Sequence, residues 1–102
     1  MENEVTLDFD FISDYDEFYS MLKRKFDLPE WFGNNLDALY DFIGGNLKLP
    51  CHLRLINLNL EQIEDFEDLL ETLEDAENEI NGFSFSYYME QFDNFDEDEY
   101  SD

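Results

Sequence analysis

The sequence predicts a small α/β domain in which a three-stranded parallel sheet is packed by helices in the order β-α-α-β-α-β. Three runs alternate apolar and polar residues, which is the period of a half-buried strand, and apolar residues recur at helical spacing between these runs. Strands separated by helices form parallel sheets through right-handed crossovers. The 102-residue chain is 43% hydrophobic and 18% aromatic, so it can bury a core, and its length indicates one domain.

The first strand is predicted from Glu4 to Phe11, because every second side chain in this run is apolar. Ser13 is expected to cap the first helix, with Asp16 in the place that glutamate takes in a capping box. Apolar residues at helical spacing extend this helix from about Asp14 to Phe26. The basic residues in its last turn complement the helix dipole, so we interpret them as structural.

A turn-rich loop leads into the second predicted helix. Asn34 or Asn35 is expected to cap this helix, and Gly44 and Gly45 are expected to end it. A second strand is predicted from Cys51 to Leu58, where apolar residues again alternate with polar ones.

A long third helix and a last strand complete the predicted domain. Asn59 is expected to cap the helix, which reaches about Glu79, and the strand runs from Phe83 to Tyr87. The segment after the domain is strongly acidic and contains no basic residue. We therefore place the domain at residues 1–92 and interpret residues 93–102 as a solvated acidic tail.

The charge balance limits the possible partners. With 28 acidic and 5 basic residues, the formal net charge is −23, so direct binding of nucleic acid or of an anionic membrane surface is not expected. A basic protein is the natural complement. We expect neither a membrane span nor a signal peptide, because no long apolar run is present and the N-terminus is acidic. The single Cys51 suits a reducing compartment, so a cytoplasmic location is expected.

Nothing in the sequence indicates an enzyme. The chain has one histidine and one cysteine, with no glycine-rich phosphate loop and no cluster of metal-ligand spacing. His52 lies within a predicted strand, where a packed or edge histidine is far commoner than a catalytic one. We therefore expect no catalytic residue, no cofactor and no metal.

The most informative region is the loop and helix between residues 28 and 45. Asp37 and Asp41 are four residues apart, so they share one helix face, although like charges at this spacing destabilise a helix by about 0.2–0.5 kcal/mol. Trp31 and Phe32 lie just upstream. Acids bordered by aromatic residues suit an interface with a cationic cleft. The alternative is that both aspartates are ordinary surface acids.

The run from Leu28 to Asp41 resembles the signature of the barstar family of ribonuclease inhibitors, which reads Leu-Pro, an aromatic loop, Gly-x-Asn-Leu-Asp-Ala-Leu, an aromatic residue and Asp. The fit continues without a gap to Pro50, and the element order is that of barstar. As a pattern, the resemblance covers about residues 1–90. It implies that the second helix and the loop before it block the active site of a secreted ribonuclease, with acids in place of RNA phosphates.

The resemblance also implies the role of individual residues. Asp41 matches the dominant interface aspartate, Asp37 its companion, and Trp31 the loop tyrosine that stacks on the enzyme. Tyr40 matches a helix tryptophan, and two loop positions match those that let the backbone approach the partner. The full set of expected partner-binding residues is Trp31, Phe32, Gly33, Asn35, Asp37, Tyr40, Asp41, Gly44 and Asp75.

The chain departs from the family pattern at three places. Asn46 stands where the family has a second tryptophan. The glutamate that the family uses from its last helix falls on Asp75 or on Glu77, depending on the alignment, and we favour Asp75. The stretch before the last helix is about three residues shorter than in barstar, so a short helix is expected to have fused with the long one.

We therefore predict an immunity protein that binds a basic ribonuclease toxin and blocks its active site. It is expected to be a monomer that forms a 1:1 heterodimer with the toxin. The alternative is an acidic DNA mimic, whose carboxylates copy duplex phosphates to occupy a DNA-binding enzyme or regulator.

Overall fold

A computed structural model describes residues 3–90 of the chain as three strands and four helices, with a short 3-10 helix at Phe9–Phe11. The strands β1 (Asn3–Asp8), β2 (Cys51–Leu58) and β3 (Phe83–Met89) form one parallel sheet with β2 in the centre. The helices are α1 (Tyr15–Phe26), α2 (Leu36–Gly45), α3 (Leu60–Asp65) and α4 (Glu67–Glu79). The predicted α/β fold and element order are confirmed. The predicted acidic tail, residues 93–102, lies outside the described residues.

One face of the sheet carries the core. Leu7 pairs with Leu55 across β1 and β2, both are fully buried, and Leu53 pairs with Phe85 across β2 and β3. From Cys51 to Leu55, every second residue of β2 is buried against the helices, which is the alternation that the sequence predicts, and a shift in register between Leu55 and Leu58 interrupts it.

The opposite face of the sheet is polar. The two ring nitrogens of His52 lie 2.7 Å from Ser84 Oγ and 2.9 Å from Ser86 Oγ on the neighbouring strand. Arg54 lies over the ring of Tyr88, with 5.4 Å between the guanidinium carbon and the ring centroid. Both ring nitrogens of His52 are thus engaged within the sheet, so the residue is packed, and it lies on the central strand rather than at an edge.

The first strand is shorter than predicted. Asp8 Oδ1 accepts hydrogen bonds from Asp10 N at 3.0 Å and from Asn57 Nδ2 at 3.0 Å. The Asp8 side chain therefore caps the 3-10 helix. Strand β1 ends here because an aspartate that accepts from a nearby backbone N–H competes with strand pairing. Phe11 is 72% exposed rather than buried. The strand prediction is therefore wrong for residues 9–11.

The cap of α1 also differs from the prediction. Asp14 is the N-cap, and its Oδ1 accepts from Glu17 N at 2.9 Å. Ser13 donates to the Glu17 carboxylate through its backbone N at 2.7 Å and its Oγ at 2.6 Å, and these bonds lower the pKa of Glu17. The side chain that bonds back to the chain before the helix is thus Glu17, one residue beyond the predicted Asp16, and the N-cap is Asp14 instead of Ser13.

The long third helix is broken at Phe66. Its backbone leaves the helical region at ψ 23°, and its side chain is 1% exposed. The ring packs edge-on against Phe9 at 5.2 Å between centroids and lies 4.8 Å from the ring of Tyr15. The short helix α3 is therefore separate from α4, and the prediction of one continuous helix from Asn59 is wrong.

Gln62 holds α3 in place. Its Oε1 accepts from Asn59 N at 3.0 Å, which closes a capping box, and its Nε2 donates to Phe9 O at 2.9 Å and Ile12 O at 2.7 Å. Gln62→Ala is expected to lower the free energy of unfolding by about 2 kcal/mol, because it removes three hydrogen bonds and takes a partner from Asn59 N and from Ile12 O, while Phe9 O still accepts from Ile12 N. Urea unfolding measures the loss. The exposed Glu61→Ala is the control, and equal stability of the two variants would contradict this account.

Candidate functional site

The loop before α2 is folded against the start of the helix. Asn35 is the N-cap, because its Oδ1 accepts from Ala38 N at 2.7 Å, and this settles the choice between the two asparagines. A Cβ on Gly33 would lie 3.3 Å from Asn35 Nδ2 and 3.4 Å from Ala38 Cβ. The two predicted loop residues thus shape the loop itself. Any contact that they make with a partner remains a prediction.

The two aromatic residues of the loop have different environments. Trp31 is 85% exposed, whereas Phe32 is half-buried and packs edge-on against Phe42, with 6.3 Å between ring centroids. Phe42 in turn packs against Phe26 of α1. Phe32 therefore anchors the loop to the helices, and Trp31 is left free for contact with a partner.

Helix α2 presents its two aspartates to solvent. Asp37 and Asp41 are exposed, while Leu39 and Ile43 on the other side of the helix are buried in the core. Trp31 and Asp41 line the same shallow groove between the loop and the helix. The structure thus brings Asp41 and Trp31 together, and Asp37 lies one helical turn before Asp41 on α2.

Tyr40 connects α2 to the end of α4. Its hydroxyl donates a hydrogen bond to the Glu79 carboxylate. This bond raises the pKa of Tyr40, with smaller contributions from burial and from the negative charges of Glu79 and Asp75. Asp75 is exposed on α4 one turn before Glu79, so three acidic or phenolic groups lie close together beside the outer face of α2.

Asp75 and Glu77, the two candidates for a partner contact on the last helix, lie near different parts of the protein. Asp75 is close enough to Tyr40 to influence its ionisation. Glu77 instead accepts a hydrogen bond from Phe85 N at 3.3 Å, at the outer strand of the sheet. The choice of Asp75 over Glu77 as the last-helix contact stays a prediction.

Gly44 lies where α2 meets the chain that follows α4. A Cβ on Gly44 would be 3.3 Å from Cδ1 of Ile80, so the absence of a side chain allows a close helix contact. Asn46 follows as the C-cap of α2 and lines the groove of Trp31 and Asp41. Gly44 thus has a packing role in addition to its predicted place in the interface.

Sequence reasoning did not select Glu79. Its spacing of four residues from Asp75 is visible in the sequence, and it places the two acids on one face of α4. The donor to Glu79 is the hydroxyl of Tyr40, and the family pattern has a tryptophan at this position. Tryptophan has no hydroxyl, so the family pattern gives no reason to expect this hydrogen bond.

No group of three or more His, Cys, Asp or Glu side chains within residues 3–90 is arranged to hold a metal ion. No helix in the same range is long and apolar enough to cross a bilayer.

Fold and site together define a small α/β protein that exposes aspartates and a tryptophan on one helix and its preceding loop. The family described as barstar (barnase inhibitor) matches residues 2–92, and the chain belongs to the barstar family. One relative, "Putative ribonuclease inhibitor YrdF" of Bacillus subtilis (strain 168), is 50% identical over 36 residues, which is 35% of this chain and 40% of the relative. The match thus spans less than half of that relative.

Proposed function

We propose that this chain is an immunity protein that binds a basic ribonuclease of the barnase type and blocks its active site. The observation that carries the proposal is the joint exposure of Trp31, Asp37 and Asp41 on α2 and the adjoining loop, in a member of a family of barnase inhibitors. The match to a protein named as a ribonuclease inhibitor supports the same class of target.

Charge explains how such a surface can occupy a ribonuclease cleft. An enzyme that cleaves RNA binds phosphates through cationic side chains, and a carboxylate can accept the same charge-assisted hydrogen bonds. Asp37 and Asp41 offer two carboxylates one helical turn apart. Trp31 adds a large apolar surface that is free in the unbound chain, as expected of an aromatic anchor.

The rigidity of α2 favours tight binding. The Asn35 cap fixes the start of the helix, Leu39 and Ile43 bury its inner side, and Tyr40 is bonded to the end of α4. A surface that is already ordered loses less conformational entropy on association. Inhibition is then a matter of occupying the cleft, in a 1:1 complex, without chemistry by this chain.

The experiment compares two pairs of acids in an RNA-cleavage assay with a barnase-type ribonuclease. The double variant Asp37→Asn/Asp41→Asn neutralises the proposed surface. Its matched control is Glu67→Gln/Glu71→Gln, an exposed pair at the same spacing that also begins in the first turn of its helix. Glu67 lies twelve residues before Glu79, about 18 Å along α4.

Both double variants have the same net charge, so the comparison separates a local surface from a diffuse charge effect. Loss of inhibition in the α2 variant alone supports the proposal. Equal, small losses in both variants would contradict it and would favour the DNA mimic, which needs its acids spread over the whole surface.

Association with the ribonuclease is expected to be steered by charge. The formal charge of −23 facing a basic cleft should give an association rate of about 10⁸ M⁻¹s⁻¹ or more at low salt. Raising the ionic strength from about 0.1 M to about 1 M shortens the Debye length from about 10 Å to about 3 Å and should slow association strongly. Dissociation should change much less. Stopped-flow mixing measures both rates, and an association rate that is independent of salt would refute the steering.

A further inference from the structure

We propose that Glu79 is a positioning residue of the inhibitory surface, which holds the ring of Tyr40 in the orientation that a ribonuclease contacts. This inference rests on the proposed function and adds to it a residue and a mechanism. It predicts that part of the affinity comes from an internal hydrogen bond of the free protein rather than from a contact with the partner.

The first argument is the contact itself. The Tyr40 hydroxyl donates to the Glu79 carboxylate across the junction of α2 and α4, and the two residues are 39 positions apart in sequence. The neighbouring contact of Gly44 with Ile80 brings the same two elements together. A tyrosine that is held at both its backbone and its hydroxyl has little freedom to turn, so its ring enters an interface already oriented.

The second argument is that Glu79 occupies an electrostatically poor position. It is the last residue of α4, where the helix dipole disfavours negative charge, and this last turn contains no basic residue. Asp75, four residues earlier, adds like-charge repulsion. A carboxylate placed at such a cost is consistent with a role that needs its acceptor oxygen, and Tyr40 provides the donor.

The third argument is the location of Tyr40. It follows Asp37 by three residues, so the two side chains are neighbours on the helix surface, and the orientation of the ring bears on the approach of a partner to Asp37. Tyr40 is half-buried while Asp41 is exposed, which places the ring at the border between the α2–α4 junction and the solvent-facing acids.

The test measures rates of complex formation and dissociation with a barnase-type ribonuclease that the wild-type chain inhibits. The variants are Tyr40→Phe, Glu79→Ala, Glu79→Gln and the double variant Tyr40→Phe/Glu79→Ala, with the exposed Glu74→Gln as the control for charge on α4. We expect Tyr40→Phe and Glu79→Ala each to speed dissociation about fivefold to tenfold. The double variant should be no worse than either single variant, because both remove the same bond.

The Glu79→Gln variant separates positioning from charge. Its amide oxygen can still accept the Tyr40 hydroxyl, so dissociation should stay within about twofold of the wild type. If Glu79→Gln is as damaging as Glu79→Ala, or if the double variant shows additive losses, Glu79 acts through its charge and the proposal is wrong. Unchanged dissociation in every variant would also overturn it.

A measurement on the free protein distinguishes this failure from failure of the proposed function. NMR titration of Tyr40 should show a pKa above the usual value of about 10, which falls in Glu79→Ala because the acceptor and its charge are lost. A shifted pKa with unaffected dissociation rates refutes the positioning role alone. A wild-type chain that binds no such ribonuclease refutes the proposed function, and the positioning role with it.

Discussion

Replacing Asp41 by alanine is expected to weaken binding to the ribonuclease by at least about 2 kcal/mol, roughly thirtyfold in Kd. Asp41 is exposed on α2 and shares a groove with Trp31, and by resemblance it matches the dominant interface aspartate of the family. Removal of a carboxylate that pairs with a desolvated cation of the ribonuclease leaves that cation buried and unpaired. This penalty accounts for the size of the expected loss of affinity.

The stability of the free protein should not fall in Asp41→Ala. Asp41 and Asp37 repel each other on the same helix face, and alanine favours the helix, so the variant should be as stable as the wild type or slightly more so. Titration calorimetry measures the affinity and thermal unfolding measures the stability. Glu71→Ala, an exposed acid on α4, is the control. An unchanged Kd for Asp41→Ala would remove the central residue of the proposed interface.

Replacing Phe66 by alanine is expected to lower the free energy of unfolding by about 3–5 kcal/mol, the usual cost of truncating a buried phenylalanine. The ring is buried at the break between α3 and α4, where it contacts the aromatic rings of Phe9, Phe18 and Tyr15. Small domains have about 5–15 kcal/mol of stability in total, so this single change removes a large share.

Chemical denaturation of Phe66→Ala and Phe66→Leu tests this estimate. Leucine fills much of the site and should cost clearly less than alanine. Leu60→Ala is a surface control, since Leu60 is 76% exposed at the start of α3. A loss for Phe66→Ala as small as that for Leu60→Ala would mean that the aromatic cluster around Phe66 does not hold the two helices together.

The order of strands and helices is predictable because each element carries its own periodicity. The break at Phe66 is not predictable, because the apolar stripe continues through it. The hydrogen bonds that hold α3 run from Gln62 to carbonyls 53 and 50 residues earlier in the chain. The early end of β1 has the same origin in part: Asp8 caps the 3-10 helix through the nearby Asp10 N, and Asn57 from β2 donates to the same oxygen. Local pattern cannot show bonds between distant parts of the chain.

The same distinction applies to the candidate site. Trp31, Asp37 and Asp41 lie within eleven residues of one another, so spacing and the family pattern are sufficient to select them. Glu79 is selected only by its contact with Tyr40 across the helix junction. Phe32 lies beside Trp31 in the sequence and is predicted to share its role, and only its packing against Phe42 shows that it supports the loop.

Along α2, side chains that face solvent alternate with side chains that hold the core. Position 41 can therefore change with little loss of stability, while Leu39 and Ile43 cannot; Asp37 lies in the first turn, where its charge complements the helix dipole. An inhibitor built in this way can acquire substitutions that match substitutions in the cleft of its ribonuclease, without any variant along the way losing its fold. Tyr40 is the exception, because a new residue at position 40 also removes its hydrogen bond to Glu79 at the end of α4.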